Sequence, residues 1–183
     1  MSGAASGGAS PVRDGPVLVT GAAGFIGSNL ADRLASAGHD VIAFDALTRP
    51  GVESNLAWLR ERHPRRIRPV HADVRDAGAV AKAAAGAGAV FHLAAQVAVT
   101  TSMVAPLDDF ETNLRGTLNL LEALRRRGDG TPLIFASTNK VYGDLADIAL
   151  DRLADAYQPH DPAVRAHGVA EARGELERRG LVA

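Results

Sequence analysis

The chain has 183 residues, a formal net charge of −1 at pH 7 and no cysteine. A chain of this length buries one well-formed core rather than two, and a sequence without cysteine excludes disulfides, thiol catalysis and thiolate metal sites from these residues. The near-zero charge gives no general attraction to nucleic acid or to an anionic membrane, so neither is predicted as a partner. We expect a cytoplasmic protein, since a lack of cysteine fits a reducing compartment.

Residues 1–15 read MSGAASGGASPVRDG. They contain neither the basic start nor the apolar run of a secretory signal. Their glycine, serine and alanine content predicts a disordered tail. Further along the chain, no apolar run approaches the roughly 20 residues that span a bilayer.

Short apolar strands alternate with amphipathic helices over residues 16–143. The predicted strands lie at 16–21, 40–46, 67–73, 89–95 and 131–138, and the predicted helices at 25–37, 53–62, 76–86 and 106–127. Strands that are apolar on both faces and separated by helices indicate a parallel sheet covered on both sides. Because crossovers are right-handed, the predicted fold class is α/β, a Rossmann-type doubly wound parallel sheet with about five strands.

Residues 144–183 differ in character from the preceding domain. Acidic and basic residues alternate there, two prolines interrupt the segment, and no convincing strand is predicted. A marginal helix is expected somewhere within 163–179. We therefore divide the chain into a disordered tail at 1–15, a Rossmann domain at 16–143, and a surface excursion or poorly ordered tail at 144–183.

A glycine-rich turn joins the first predicted strand to the first predicted helix. Gly21, Gly24 and Gly27 give it the pattern G-x-x-G-x-x-G. One glycine permits the tight bend, one lets a pyrophosphate approach the main chain, and one lets helix and strand pack closely. The N–H groups and the dipole of the helix start then hold the phosphates. An ordinary tight turn is the alternative, but the strand–helix context favours dinucleotide binding.

Asp45 ends the second predicted strand, 18 residues after Gly27. A carboxylate at this place accepts hydrogen bonds from the adenosine ribose hydroxyls. It also repels a 2′-phosphate, which favours NAD over NADP as the cofactor. Arg49 lies close enough in sequence to act as a partner for that phosphate, so the preference is not absolute.

The stretch HADV follows the third predicted strand and contains Asp73 and Val74. A polar contact and an apolar wall are expected here, at the adenine edge of a dinucleotide site. Capping of the next helix by Asp73 or by Asp76 is an equally good interpretation of the same residues. The sequence leaves both open.

Four motifs together resemble one protein family. They are the glycine turn, FHLAAQ at 91–96, NLRGTLNLLEA at 113–123 and FASTNKVYG at 135–143. Over about residues 16–143 the chain resembles the extended short-chain dehydrogenase/reductase family, and within it the NAD-dependent nucleotide-sugar epimerases and dehydratases. The STNKVYG run is most similar to the 2-epimerases of CDP-sugars. The resemblance implies NAD as cofactor, a nucleotide sugar such as a CDP-hexose as substrate, and a homodimer.

The resemblance also assigns roles to individual positions. Cofactor contacts in the family match Gly21, Gly24, Phe25, Ile26, Gly27, Asp45, Asp73, Val74, Leu93, Ala94, Ala95, Gln96 and Asn113. Thr138 matches the catalytic Ser/Thr, whose hydroxyl binds the reacting sugar hydroxyl. Asn139 and Lys140 stand in the substrate region where dehydratases of the family carry an acidic pair, which argues against dehydration. A solvated surface lysine is the open alternative for Lys140.

The implied mechanism is oxidation of a sugar carbon by NAD followed by reduction from the other face, with a tyrosine of a Y-x-x-x-K motif as base. The chain has no such motif, because the residues four positions after Tyr142 and Tyr157 are Ala146 and Asp161. We therefore expect a truncated or frameshifted family member that lacks the C-terminal strands and the substrate lobe. Its homodimer would be compromised, and an inactive NAD-binding module is the alternative function.

Other patterns have simpler interpretations. The six histidines show no metal-binding spacing, and no metal site is predicted. The basic stretch 60–68 is interpreted as a helix end with solvated arginines rather than a phosphate or RNA site. Leucines at helical spacing within 106–127 indicate a core or interface face.

Overall fold

The computed structural model describes residues 13–138 and 145–169. The chain divides into two compact units, the first ending at Ala136 and the second beginning at Ser137. No helix in the described parts is long and apolar enough to cross a membrane. No group of three or more potential metal ligands occurs in those same parts.

The first unit is built on a five-stranded parallel sheet. Its strands are β1 (Val17–Thr20), β2 (Val41–Asp45), β3 (Ile67–His71), β4 (Ala89–His92) and β5 (Leu133–Phe135). The helices are α1 (Phe25–Ser36), α2 (Val52–Arg62), α3 (Ala77–Ala84), α4 (Val99–Val104), α5 (Pro106–Phe110) and α6 (Gly116–Arg127). The spatial order is β3-β2-β1-β4-β5, and each neighbouring pair is parallel. The predicted α/β fold is confirmed.

Alternate residues of the central strands supply two cores, one on each face of the sheet. On one face, Val17 and Val19 are fully buried in a cluster that includes residues of α1 and α2. On the other face, Leu18 and Val90 are buried with residues of α3 and α6. Because successive side chains of a strand point to opposite faces, a strand covered on both sides must be apolar at every position. This is why β1 and β2 show unbroken apolar runs.

The predicted helix 106–127 is present but is not uniform. A π-helical turn at Glu111–Arg115 joins α5 to α6. Helix α4 forms between the predicted strand at 89–95 and the predicted helix at 106–127, where no helix is predicted. It ends where Ala105 adopts an extended φ of −131° before Pro106, because proline disfavours helical backbone in the residue before it.

The second unit contains a short antiparallel hairpin, although the sequence predicts no strand after Gly143. Strand β6 (Leu150–Arg152) pairs with β7 (Tyr157–Pro159), and helix α7 (Pro162–His167) follows. A hydrogen-bond contact of 2.9 Å between His160 Nδ1 and a carboxylate oxygen of Asp151 links the residue after β7 to β6. Three-residue strands are too short to show a clear two-residue period, so the pattern does not reveal them.

Candidate functional site

Three chain segments meet at the carboxyl edge of the sheet. The glycine turn follows β1, Asp45 ends β2, and residues 93–96 follow β4. Strand β1 lies between β2 and β4, so the connections diverge to opposite sides at this point. In open α/β sheets this topological switch point forms a crevice where ligands bind.

The glycine turn leaves no room for side chains at its first and last glycines. Gly21 has a φ of +71°, and a Cβ there would lie 2.8 Å from the backbone nitrogen of Ala94. A Cβ on Gly27 would overlap the carbonyl oxygen of Gly21. Gly21 is therefore needed for the bend and for the approach of the β4 end, and Gly27 for the packing of α1 against the turn.

Gly24 immediately precedes α1 and has an extended backbone, with φ −69° and ψ 168°. No side chain of the described residues caps this helix start. Phe25 and Ile26, the first two residues of α1, are 83% and 68% exposed. The N–H groups of a first helical turn have no partner within the helix, so this start can accept an anionic group.

Each carboxylate oxygen of Asp45 accepts a hydrogen bond from a backbone N–H. One oxygen accepts the N–H of Ala23 at 2.9 Å, and the other accepts the N–H of Leu47 at 2.8 Å. The second contact accompanies a left-handed backbone at Leu47, with φ +52°. Each carboxylate oxygen can accept a further hydrogen bond, so the geometry is compatible with ribose hydroxyls. Arg49 is exposed, and its competing role stays a prediction.

The helix cap after β3 is provided by Asp76, not by Asp73. The carboxylate of Asp76 accepts the N–H groups of Gly78 and Ala79, at 2.9 and 3.0 Å. Asp73 instead accepts the backbone N–H of Arg75 at 2.9 Å and its guanidinium at 2.7 and 3.0 Å. Hydrogen bonds from the Arg75 side chain hold the pKa of Asp73 below its usual range. Contact of Asp73 with a ligand stays a prediction.

Val74 points into the core rather than standing open at the surface. It is 5% exposed, and a Cβ on Gly116 would lie 2.6 Å from its Cγ2. The side-chain amide of Asn119 donates to the carbonyl of Val74 at 3.0 Å. Helix α6 thus holds this loop closely, and the predicted apolar wall at the adenine edge stays a prediction.

Asn113 fixes the segment that follows β4. Its Oδ1 accepts the backbone N–H of Gln96 at 2.8 Å, and its Nδ2 donates to the Gln96 carbonyl at 2.9 Å. The same Nδ2 also donates to Asp109 at 2.8 Å. Asn113 lies in the π-helical turn, a distortion found frequently at functional sites. These two hydrogen bonds between the Asn113 side chain and the Gln96 backbone hold the π-helical turn directly beside residues 93–96.

The sequence pattern did not reveal a buried hydrogen-bond chain behind these residues. His92 is 1% exposed, and its Nδ1 lies 2.6 Å from the hydroxyl of Thr20. Its Nε2 lies 3.0 Å from the hydroxyl of Thr117, which donates to the carbonyl of Asn113 at 2.6 Å. These hydrogen bonds therefore connect the end of β1, through β4, to the π-helical turn.

The available donors determine which nitrogen of His92 carries the proton. The Thr117 hydroxyl donates its only hydrogen to the Asn113 carbonyl, so His92 Nε2 must be the donor to the Thr117 oxygen. His92 Nδ1 is then the acceptor for the Thr20 hydroxyl. The oxygen of that hydroxyl accepts the N–H of Ala94 at 3.2 Å and shares the N–H of Leu93, also at 3.2 Å, with the Thr20 carbonyl. A protonated imidazole would find no acceptor at Nδ1. Burial accordingly lowers the pKa of His92 to about 4.

Of the predicted catalytic and substrate residues at 138–140, the structure describes Thr138. Thr138 is exposed and belongs to the second unit. Asn139, Lys140 and Tyr142 lie outside the described residues. Tyr157 lies on β7 and is 66% exposed. The catalytic role of Thr138 and the substrate roles of Asn139 and Lys140 stay predictions.

Comparison with known proteins adds to this geometry. A profile of the NAD dependent epimerase/dehydratase family matches residues 17–176. The chain is 47% identical over 131 residues to the CDP-paratose 2-epimerase of Salmonella typhi, a match covering 70% of this chain and 38% of that protein. It is 38% identical over 150 residues to a dTDP-glucose 4,6-dehydratase of Mycobacterium tuberculosis, covering 80% and 44%. The chain thus spans less than half the length of these relatives.

Solved structures show the same likeness. A UDP-glucose-4-epimerase from Stenotrophomonas maltophila, with bound NAD and formylated UDP-arabinopyranose, has a TM-score of 0.62 and 34% identity. That match covers 70% of this chain and 38% of the other. A double mutant of dTDP-glucose 4,6-dehydratase from Streptomyces venezuelae, with NAD and DAU bound, has a TM-score of 0.62 and 40% identity. It covers 71% of this chain and 41% of the other.

Proposed function

The chain belongs to the NAD dependent epimerase/dehydratase family, and on this premise we propose that its first unit binds NAD. One observation carries the proposal. The glycine turn excludes side chains at Gly21 and Gly27, while Asp45 at the end of β2 is hydrogen-bonded to the same turn. This arrangement places the uncapped start of α1, which can accept an anionic pyrophosphate, beside a carboxylate for the adenosine ribose. Solved structures of related enzymes that contain NAD support the proposal.

The proposed contacts follow the edge of the sheet. The exposed start of α1, at Phe25 and Ile26, would donate its N–H groups to the pyrophosphate. Asp45 would accept the ribose hydroxyls, and Asp73 would lie near the adenine. The segment Leu93–Gln96, held by Asn113, would line the nicotinamide side. NAD, when bound, supplies a hydride acceptor and donor.

For the whole protein we propose nucleotide-sugar epimerisation through a keto-sugar intermediate, with a CDP-sugar 2-epimerase as the specific activity. The 47% identity to CDP-paratose 2-epimerase supports this choice. The sequence Asn139–Lys140, in place of the acidic pair of dehydratases, supports it as well. Thr138 would orient the reacting sugar hydroxyl by hydrogen bonding. The substrate partner is then a nucleotide sugar, with CDP-hexose as the proposed class.

Two other functions have a specific observation behind them. Dehydratase or decarboxylase chemistry on a nucleotide sugar is favoured by the 38% identity to dTDP-glucose 4,6-dehydratase. NAD binding without turnover is favoured because neither Tyr142 nor Tyr157 has a lysine four positions later. Product analysis by NMR, after the 183-residue chain has been incubated with NAD and either CDP-paratose or dTDP-glucose, distinguishes an epimer of the first sugar, a dehydrated product of the second, and no reaction.

Calorimetric titration with NAD tests the cofactor proposal directly. We expect Asp45→Ala to weaken NAD binding by about ten- to a hundredfold, since hydrogen bonds to a charged group contribute about 1.5–3 kcal/mol. Asp40→Ala is a matched control, because Asp40 precedes the opposite end of β2 and is paired with Arg66. A chain that binds no NAD, or an Asp45→Ala variant that binds it equally well, would overturn the proposal.

A further inference from the structure

The glycine turn is held from two sides at a single buried residue. Ala23 is 0% exposed, and its N–H donates to Asp45 at 2.9 Å. Its carbonyl accepts a hydrogen bond from the side-chain amide of Asn55 at 2.8 Å. Asn55 belongs to α2, 32 residues further along the chain. Both polar backbone groups of Ala23 are thus bound by side chains, one from the end of β2 and one from α2.

The neighbouring N–H groups of the turn are also used within the protein. The N–H of Ala22 donates to the carbonyl of Phe44 at 3.3 Å, and that of Gly24 donates to Gly21 at 3.1 Å. Donors available to a ligand must therefore come from the first turn of α1, whose N–H groups have no intrahelical acceptor. The peptide between Ala23 and Gly24 leads directly into this helix start, and Gly24 joins it to the first helical N–H groups.

We propose that Asn55 is a positioning residue for the pyrophosphate site. By holding the Ala23 carbonyl, it sets the orientation of the peptide that leads into α1. This support matters because Gly24 has broad backbone freedom and would restrict that peptide little on its own. A turn made of glycines admits a ligand closely but is loose, and fixing its backbone in advance lowers the cost of binding. The inference rests on the proposed NAD function.

Helix α2 is suited to this task because it is anchored in the core. Leu56 and Leu59 are 9% and 0% exposed and belong to the same buried cluster as Ala22 and Ala23. Asn55 directly precedes Leu56 and is itself half-buried. Its amide is therefore presented by an element that is packed against the turn, and a site supported from a rigid element is held more accurately than one supported by a loop.

The experiment compares two substitutions with a control on the same helix. Asn55→Asp keeps the shape but replaces the donor with an oxygen that repels the Ala23 carbonyl, and Asn55→Ala removes the donor without repulsion. Ser54→Ala is the control, since Ser54 is exposed and its hydroxyl donates to the Gly51 carbonyl and not to the glycine turn. Calorimetry measures the Kd of NAD and ADP, and NMR titration measures that of adenosine. Amide hydrogen exchange is followed at Ala23 and Gly24 without ligand.

We expect Asn55→Ala to weaken NAD and ADP by about three- to tenfold, the value of one neutral hydrogen bond, and Asn55→Asp by more. Adenosine has no pyrophosphate, so its Kd should stay within about twofold of the native value. The amides of Ala23 and Gly24 should exchange faster in both variants, and Ser54→Ala should change none of these quantities. A loss of affinity for ADP without a similar loss for adenosine distinguishes positioning of the pyrophosphate site from a general loss of structure.

Two results would overturn the inference. One is unchanged exchange and unchanged NAD and ADP affinity in a folded Asn55→Ala variant. The other is an equal loss of affinity for adenosine and ADP, which indicates a merely structural role. If the native chain binds neither NAD nor ADP, the proposed function fails. The exchange rates of the ligand-free variants then still decide whether Asn55 holds the turn.

Discussion

Replacing Thr117 with valine tests the buried hydrogen-bond chain that joins β1, β4 and the π-helical turn. Valine keeps the branched shape of threonine but has a methyl group in place of the hydroxyl. That hydroxyl accepts from His92 Nε2 at 3.0 Å and donates to the Asn113 carbonyl at 2.6 Å. The variant therefore leaves an imidazole N–H and a backbone carbonyl without these partners.

The cost of the substitution comes mainly from the imidazole. His92 is 1% exposed, so water does not replace the lost acceptor, and an unpaired buried donor costs about 1–3 kcal/mol. A tautomer change brings no relief, because the oxygen of the Thr20 hydroxyl already accepts the N–H of Ala94 and shares the N–H of Leu93 with the Thr20 carbonyl. The carbonyl of half-buried Asn113 can be hydrated and adds little. We expect a loss of about 2 kcal/mol in the free energy of unfolding, or about 4–8 °C in Tm for a chain of this size.

Urea unfolding followed by circular dichroism measures this loss. Thr117→Ser is the matched control, because it keeps the hydroxyl and removes one methyl group, at a cost of up to about 1 kcal/mol. A Thr117→Val variant within about 0.5 kcal/mol of the native chain would refute the donor count, since that is the range of neutral surface substitutions. An equal loss in Thr117→Ser would assign the effect to packing instead.

Three further outcomes are expected. The pKa of His92 falls from 6.5 to about 4 on folding, so between pH 4 and pH 6.5 the unfolded chain binds more protons than the folded chain. Lowering the pH from 7 to 4 should therefore reduce the free energy of unfolding by about 3 kcal/mol. Urea unfolding across this range should show a slope that His92→Leu flattens, and an unchanged slope would contradict the assignment. Gly27→Ala should abolish NAD binding in calorimetry, since its Cβ overlaps the Gly21 carbonyl, whereas Gly86→Ala, where a Cβ meets open space, should bind NAD normally. Asp76→Ala should lower the free energy of unfolding by about 1 kcal/mol, the value of an N-cap, and no change would argue against the cap.

Several elements of the fold could be predicted from local pattern alone. The unbroken apolar runs of β1 and β2 and the helical spacing over 106–127 predicted elements whose ends lie within about two residues of those observed. The glycine turn was placed correctly between β1 and α1. Local pattern was insufficient for β6 and β7, which have three residues each. It also left the choice between Asp73 and Asp76 as helix cap open, because both stand close to the start of α3.

By itself, the sequence determined the parallel sheet, its alternation with helices, the glycine turn and the acid at the end of β2. These features follow from residue periodicity and backbone sterics over a few neighbouring positions. Only the tertiary structure decided that Asn55 meets Ala23 and that His92 joins Thr20 to Thr117, because these partners are 32, 72 and 25 residues apart. Hydrogen bonds of this kind depend on how packed elements are oriented. Apolar periodicity specifies which face of a helix or strand is buried, but not which polar atoms of different elements form hydrogen bonds there.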